Sequence, residues 1–343
     1  MQVKKLTIWI VLLLLVIALF FLDIFLGTVK IPLSEIFKIL ITGKSSHPEW
    51  IVIVNSFRVP KALTALAAGI GLSISGLQMQ TVFRNPLAGP YVLGISSGAS
   101  LGVAILLLGF SGVFIGSNFS IINNWMIVIA AWLGSGLILF VILAISMRVK
   151  DIMTILILGI MFGSATTAIV SILQYFSNES LLKAFIVWTM GSLGGVSKAQ
   201  LSVLLPSVLV GIIIVSFLSK VLNAMLIGEN YAKSLGLNIK LARFLIFLST
   251  SLLAGSITAF CGPIGFVGIA VPHIARMVFK TANHNILIPA TMLLGGGLLL
   301  LSDIISQLPG YDNILPINSI TALVGIPVVV WIIIKNQRMA SLG

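Results

Sequence analysis

The sequence is poor in acid and almost empty of cysteine. Of its 343 residues, eight are Asp or Glu, three are His and one is Cys. A lone thiol, Cys261, cannot close a disulfide within the chain, and so few Cys, His and acidic residues form no metal-ligand cluster. No acids are spaced as a general acid–base pair, so no catalytic residue and no metal site is assigned. Charged residues of both signs make up 8% of the chain, where soluble domains carry about a quarter. The balance is apolar: 59% of residues are hydrophobic and the mean hydropathy is +1.19.

Apolar runs of about 20 residues are long enough to cross a hydrocarbon core of roughly 30 Å. Ten are present, at 6–26, 62–81, 91–110, 125–147, 152–173, 201–219, 244–261, 264–280, 286–305 and 317–334. The eighth is the most interrupted, by glycines, Pro272 and His273. These runs predict an all-α polytopic membrane protein with ten transmembrane helices in a single domain over 1–343. Within it we distinguish a first helix and external segment (1–57), a first repeat (58–173) and a second repeat (244–335). Between the repeats, 174–243 holds an external segment, the sixth helix and a cytoplasmic loop.

Basic residues orient the helices, because Lys and Arg collect on the cytoplasmic side. With both termini inside, thirteen of them fall inside: Lys4, Lys5, Arg84, Arg148, Lys150, Lys220, Lys233, Lys240, Arg243, Arg276, Lys280, Lys335 and Arg338. Seven fall outside: Lys30, Lys38, Lys44, Arg58, Lys61, Lys183 and Lys198. The net charge of +12 is thereby accounted for by topology and anionic lipid, and calls for no nucleic acid. The N-terminus has the basic head of a signal peptide. Its apolar run is too long and no small-x-small site follows, so an uncleaved first helix is expected.

Several short segments carry more than hydropathy. LAAGIGLSISG (66–76) matches LLAGSITAFCG (252–262) at an offset of 186 residues, and the same register sets Pro86 on Pro272. Such a match points to an inverted repeat, helices 2–5 against 7–10, the design of many transporters. In RNPLAGP (84–90), Pro86 and Pro90 lack backbone donors, so a helix should end near Phe83 and another begin near Pro90. Asn85 is suited to cap the turn; a structural turn is favoured there over a binding site. Gly98/Gly102, Gly159/Gly163 and Gly191/Gly195 are spaced for close helix packing, with a pathway lining as the alternative.

Charged and polar candidates are few. His273 reads as a hydrogen-bonded structural group rather than a proton relay, and Arg276 as a snorkelling or capping residue. Asp303 is the acid set deep in a late span, where a charge costs roughly 2.5–3.5 kcal/mol and needs a partner. Asp23 is expected to reach the interface. An ion-coupled carrier would need a buried carboxylate pair, and Asp303 has no obvious second acid. ITGKSS (41–46) ends like a phosphate-binding loop, but that motif needs glycine at position 38, which is Lys38. The chain itself therefore has no nucleotide site. Residues 220–243 are expected to form a pair of short helices broken at Gly236, a cytoplasmic docking surface or a helix lying on headgroups.

Three ordered motifs now carry a resemblance: SGLQMQTVFRNPLAGPYVLGISSGASLG (75–102), GPIGFVGIAVPHIARMVF (262–279) and LPINSITALVGIPVVVWIII (315–334). From about residue 50 to 335 the chain resembles the FecCD permeases. These are membrane subunits of bacterial ABC importers for iron–siderophore complexes, haem and vitamin B12. Arg84, Asn85, Pro86 and Gly94 of the first motif and Pro272, His273 and Arg276 of the second are its structural motif residues.

The resemblance implies the type II ABC importer permease fold. It also implies a homodimer, or a close heterodimer, whose path is lined by the fifth and tenth helices. Two cytoplasmic ATPase subunits, which hold the ATP and Mg, would dock on GENYAKSLGLNIK (228–240); no cofactor belongs to this chain. The contacts expected there are Gly228, Glu229, Ala232, Ser234, Leu235 and Gly236. The turn between the fourth and fifth helices, from Ser146, Met147 and Arg148 to Asp151, is the expected gate region. An extracytoplasmic binding protein would deliver cargo, meeting Arg58 and Lys61 of FRVPK (57–61) with its own acids. The protein is expected in a bacterial cytoplasmic (inner) membrane. Three departures stand out: Gln307 in place of an arginine, Asn318 in place of a glycine, and Val328 in place of a phenylalanine.

Overall fold

The computed structural model describes residues 2–27, 29–109, 124–149, 151–307 and 314–340. In chain order its α-helices are α1 (Gln2–Phe25), α2 (Leu33–Thr42), α3 (Pro48–Val52), α4 (Val59–Val82) and α5 (Ile95–Ala104). They continue as α6 (Asn124–Arg148), α7 (Ile152–Tyr175), α8 (Glu179–Thr189), α9 (Lys198–Phe217) and α10 (Ser219–Ile227). The last five are α11 (Glu229–Ser234), α12 (Ile239–Cys261), α13 (Val267–Phe279), α14 (His284–Ser306) and α15 (Ile317–Ala340). A π-helical turn (Ile53–Arg58) joins α3 to α4, and a second (Ile105–Gly109) extends α5.

The ten apolar runs correspond in order to α1, α4, α5, α6, α7, α9, α12, α13, α14 and α15. Their ends are set by local chemistry. Asp151, Asn178, Asn238 and Asn283 each accept backbone N–H groups at the start of α7, α8, α12 and α14. Ser197 and Gln200 form a reciprocal capping box on α9. Leu, Ile, Phe and Met side chains on α1, α6, α7 and α9 are exposed, as lipid-facing surfaces require.

α13 has 13 residues, about 20 Å at helical rise, too short to cross the bilayer alone. The chain around it is therefore irregular within the bundle, and its backbone groups find partners in the protein. Ser192 N donates to Cys261 O at 2.8 Å, and Gly265 N to Asn318 Oδ1 at 2.9 Å. Asn318, a departure from the usual glycine, here closes the loop ahead of α13. In the matching turn after α4, Leu87 N donates to Asn85 Oδ1 at 2.9 Å, and a 3-10 turn runs over Pro90–Leu93.

The two repeats interlock. α4 lies against α14 and α13 of the second repeat, while α12 lies against α6 and α5 of the first. α4 and α12 also meet each other, and both are largely buried. This crossed pairing is the pseudo-two-fold arrangement of an inverted repeat. The 186-residue register is not the structural one. Gly76 lies inside α4 whereas Gly262 follows α12, and Pro86 lies in a turn whereas Pro272 lies inside α13. Loops of unequal length separate equivalent helices, so no single offset relates the halves.

Glycines allow the closest crossings. A Cβ on Gly76 would fall 1.7 Å from Gly268 O, and one on Gly69 would fall 2.1 Å from Gly295 O. Gly98 and Gly102 meet the α6 backbone at Gly134 and Ala130, and Gly159 meets Val92 O. Gly191 and Gly195 differ: they lie in the turn between α8 and α9, not on a helix, and Gly191 has φ +74°. The break between the two short helices α10 and α11 falls at Gly228 (φ +150°), not at Gly236, which follows α11. A backbone at +150° is open only to glycine.

Candidate functional site

At the end of the bundle where α6, α10 and α12 terminate or begin, α11 projects as a short shelf. Ala232 is buried beneath it, while Tyr231, Ser234 and Leu235 are exposed. Two open clefts flank the shelf. One of about 500 Å³ is lined by Phe83, Arg84, Met153, Gly228 and Tyr231; Arg84 (φ +46°) sets its guanidinium beside Gly228. The other, about 460 Å³, runs between α11 and the α6–α7 turn and includes Ser146, Met147, Arg148, Val149 and Arg243.

Arg243 closes the floor of this second cleft. Its Nε and Nη2 donate to the two Glu229 oxygens at 2.9 and 2.5 Å, and its Nη1 donates to Val149 O at 3.3 Å. In the same turn Ser146 is buried and Met147 and Arg148 are exposed; Lys150 lies outside the described residues. Asp151 accepts from Met153 N, Thr154 N and Thr154 Oγ1, at 3.3, 2.9 and 2.7 Å. The Thr154 hydroxyl, followed by the backbone donors, holds its carboxyl below the ordinary range.

At the opposite end of α4 a polar cluster is buried. Asp23 is 0% exposed, which corrects the expectation that it reaches the interface. Lys61 Nζ lies 2.8 Å from Asp303 Oδ2 and 3.8 Å from Asp23 Oδ1. Gln307 Nε2 donates to Asp23 Oδ1 at 3.0 Å and to Asp303 Oδ2 at 2.9 Å. The second acid that sequence reasoning did not find is therefore Asp23, about 280 residues away in sequence and joined to Asp303 by folding. Gln307, standing where the resemblance led us to expect an arginine, links both acids.

Arg58 is 5% exposed and donates to Ile24 O, Phe25 O and Val29 O, closing the carbonyl end of α1. Arg58 and Lys61 thus each have partners within the chain. The physical reason is the end of α1, whose unsatisfied carbonyls and buried Asp23 attract both cations.

Between the two ends, the motif residues knit the repeats together. His273 Nε2 lies 2.7 Å from Pro86 O; a carbonyl only accepts, so this nitrogen carries the proton. Arg276 Nη1 donates to Gln80 Oε1 at 2.6 Å, and Gln80 Nε2 to Ile269 O at 3.1 Å. Arg276 therefore ties α13 to α4 rather than snorkelling. Gly94 (φ +71°) starts α5. Two further buried polar residues, Gln78 and His284, escaped sequence reasoning. Gln78 bonds to Ser249 and Thr250, and His284 bonds to Thr81 and Asn223. Glutamines inside an apolar helix were the available signal.

On α7, Met161, Ser164, Thr167 and Ser171 are exposed, and each hydroxyl bonds a carbonyl of its own helix. Among the described residues there is no cluster that could hold a metal ion.

Long apolar helices arranged as a crossed pair of four-helix repeats define a polytopic membrane protein. Residues 14–335 match the FecCD transport family, and the chain belongs to it. FecCD proteins are non-enzymatic membrane subunits of ABC importers, whose ATPase activity lies in partner subunits. The uncharacterized ABC transporter permease protein YvrB of Bacillus subtilis is 32% identical over 91% of this chain and 89% of its own. The vitamin B12 import system permease protein BtuC of Klebsiella pneumoniae is 35% identical over 84% of this chain and 86% of its own. A solved inward-facing ABC transporter of metal-chelate type superposes with TM-score 0.83 at 28% identity, covering 96% of this chain and 99% of that one. PsaBC from Streptococcus pneumoniae, at 16% identity and TM-score 0.51 over 87% and 94%, shares the fold alone.

Proposed function

We propose that this chain is the permease through which an iron chelate, a siderophore complex, crosses a bacterial cytoplasmic membrane, with both termini cytoplasmic. Family membership carries the importer reading, and the 28%-identical metal-chelate-type neighbour supports the cargo class. A second copy of this chain, or a close homologue, completes the path, with the exposed face of α7 turned toward it. That face is apolar and hydroxylic, with too few charges to grip one ligand, so selectivity rests with an extracytoplasmic binding protein. Two ATPase subunits bind the shelf at 228–240 and supply ATP and Mg; the chain itself uses no cofactor. Their movement tilts the helices around the Ser146–Asp151 turn and alternates access. Vitamin B12 is the second cargo reading, favoured by the BtuC relatives, with haem behind it.

Isolating the complex through this chain and identifying the ligand held by its binding protein tests the cargo. A bound ferric siderophore supports the proposal; a bound cobalamin replaces it. Removing the binding protein should abolish high-affinity uptake, and unchanged uptake would refute the assignment of selectivity. Vesicles containing this chain alone should accumulate nothing; accumulation would favour an ion-coupled carrier, for which the Asp23–Asp303 pair is the candidate acid site.

A further inference from the structure

Resting on the coupling and gate readings just proposed, we infer that Arg243 is the positioning residue that links the ATPase-facing shelf to the gate turn. α11 is six residues long and is flanked by Gly228 (φ +150°) and Gly236 (φ +83°), two joints with wide backbone freedom. A helix held by two such joints moves as a small rigid piece unless a side chain fixes it laterally. Glu229, its first residue, is held by the Nε–Nη2 edge of the Arg243 guanidinium, at 2.9 and 2.5 Å.

A bidentate guanidinium–carboxylate pair fixes orientation as well as distance, because both groups are planar. The remaining arm of the same rigid group reaches Val149 O at 3.3 Å. Val149 follows α6, and two residues later Asp151 caps α7. One planar group thus touches the shelf and the turn at once, while its stem belongs to the first turns of α12, a central helix of the bundle. Arg243 is itself 3% exposed while Glu229 is partly exposed to the cleft, so the guanidinium is anchored inside the bundle and its carboxylate partner lies at the surface. A shift of α11 relative to α12 must rotate the guanidinium, and rotation pulls or releases the carbonyl at the turn. Lysine could satisfy Glu229 but has no fork with which to hold both partners.

The test uses the complete complex, isolated in nanodiscs through a tag on this chain. Cys261→Ala removes the native thiol, and Met147→Cys carries a bimane fluorophore on the gate turn. In this parent, Mg-ATP with vanadate should shift the bimane emission. Arg243→Met should retain the ATPase subunits and their hydrolysis yet reduce that shift at least threefold. Arg243→Lys should give an intermediate shift, and the reversal Glu229→Arg with Arg243→Glu should recover half or more of it.

A parent-sized shift in Arg243→Met complexes with ATPase subunits bound overturns the link. If Arg243→Met complexes do not assemble, the reversal decides: assembly regained without the shift means a structural role only, and the link fails. A parent complex that holds ATPase subunits but shows no shift removes the gate reading. Absence of ATPase subunits from the parent removes the docking reading instead.

Discussion

Lys61 and Asp303, 2.8 Å apart, join α4 to α14, and the same ammonium faces Asp23 of α1 at 3.8 Å. One cation is shared by two buried carboxylates, with Gln307 bridging the acids. Removing one partner of a buried ion pair leaves uncompensated charge, which costs about 3–5 kcal/mol. Lys61→Met should therefore destabilise the protein by that order in detergent unfolding. Lys61→Met combined with Asp303→Asn should recover much of the loss. Equal stability of the single and double variants would show that the pair is not coupled.

Gln307 gives the same cluster a second, opposite test. Its amide is the neutral link between Asp23 and Asp303, beside an open cavity of about 320 Å³ that Lys61 also lines. Gln307→Arg adds a cation with room to enter and a fork that suits two acids. The expected outcome is rescue of Lys61→Met, returning at least half of its lost melting temperature. A Gln307→Arg change with no effect on Lys61→Met would place the introduced charge outside the cluster.

The crossing of α4 and α13 predicts a sharp contrast between two glycines. Gly76→Ala puts a methyl 1.7 Å from Gly268 O, so two helix backbones must separate. Overpacking of this kind reaches or exceeds the upper end of about 1–3 kcal/mol. Gly136 lies in α6 with nothing within 4 Å of a built Cβ. Gly136→Ala should be neutral or stabilising by about 0.5–1 kcal/mol, since glycine is a poor helix former. Thermal melts of the two variants side by side check both signs.

Asp151 predicts a pH dependence confined to the gate turn. Its hydrogen bonds from Thr154 and Met153 hold the folded carboxyl below its unfolded value. Its contribution to stability is therefore present above the unfolded value and disappears as pH falls through the lowered folded one. Asp151→Asn keeps a capping oxygen without the titration. Exchange protection of the first turn of α7 should fall on acidification in the parent and stay flatter in Asp151→Asn.

Much of the bundle was legible because lipid imposes a length rule on apolar runs. The turn at Pro86 and Pro90 was readable too, since proline's missing donor acts wherever it lies. The buried cluster was hidden for the opposite reason. Asp23, Lys61 and Asp303 each look like an isolated charge near a helix end, and only the packing of α1, α4 and α14 makes them partners. The partners of Arg58 were hidden in the same way: position relative to a motif does not reveal that carbonyls of α1 accept from its guanidinium.

The amino-acid order alone determined that this chain lives in a bilayer, with an apolar helix at each of its ten hydrophobic runs, and where most of those helices start and stop. Those outcomes follow from local hydropathy, capping and proline chemistry. Tertiary structure alone decided which helices cross and in what register the halves correspond. It also decided which buried charges neutralise one another, because charge compensation and backbone contact depend on distance in space. Arg243, Glu229 and Val149 are the clearest case: three residues from three segments, joined by one guanidinium.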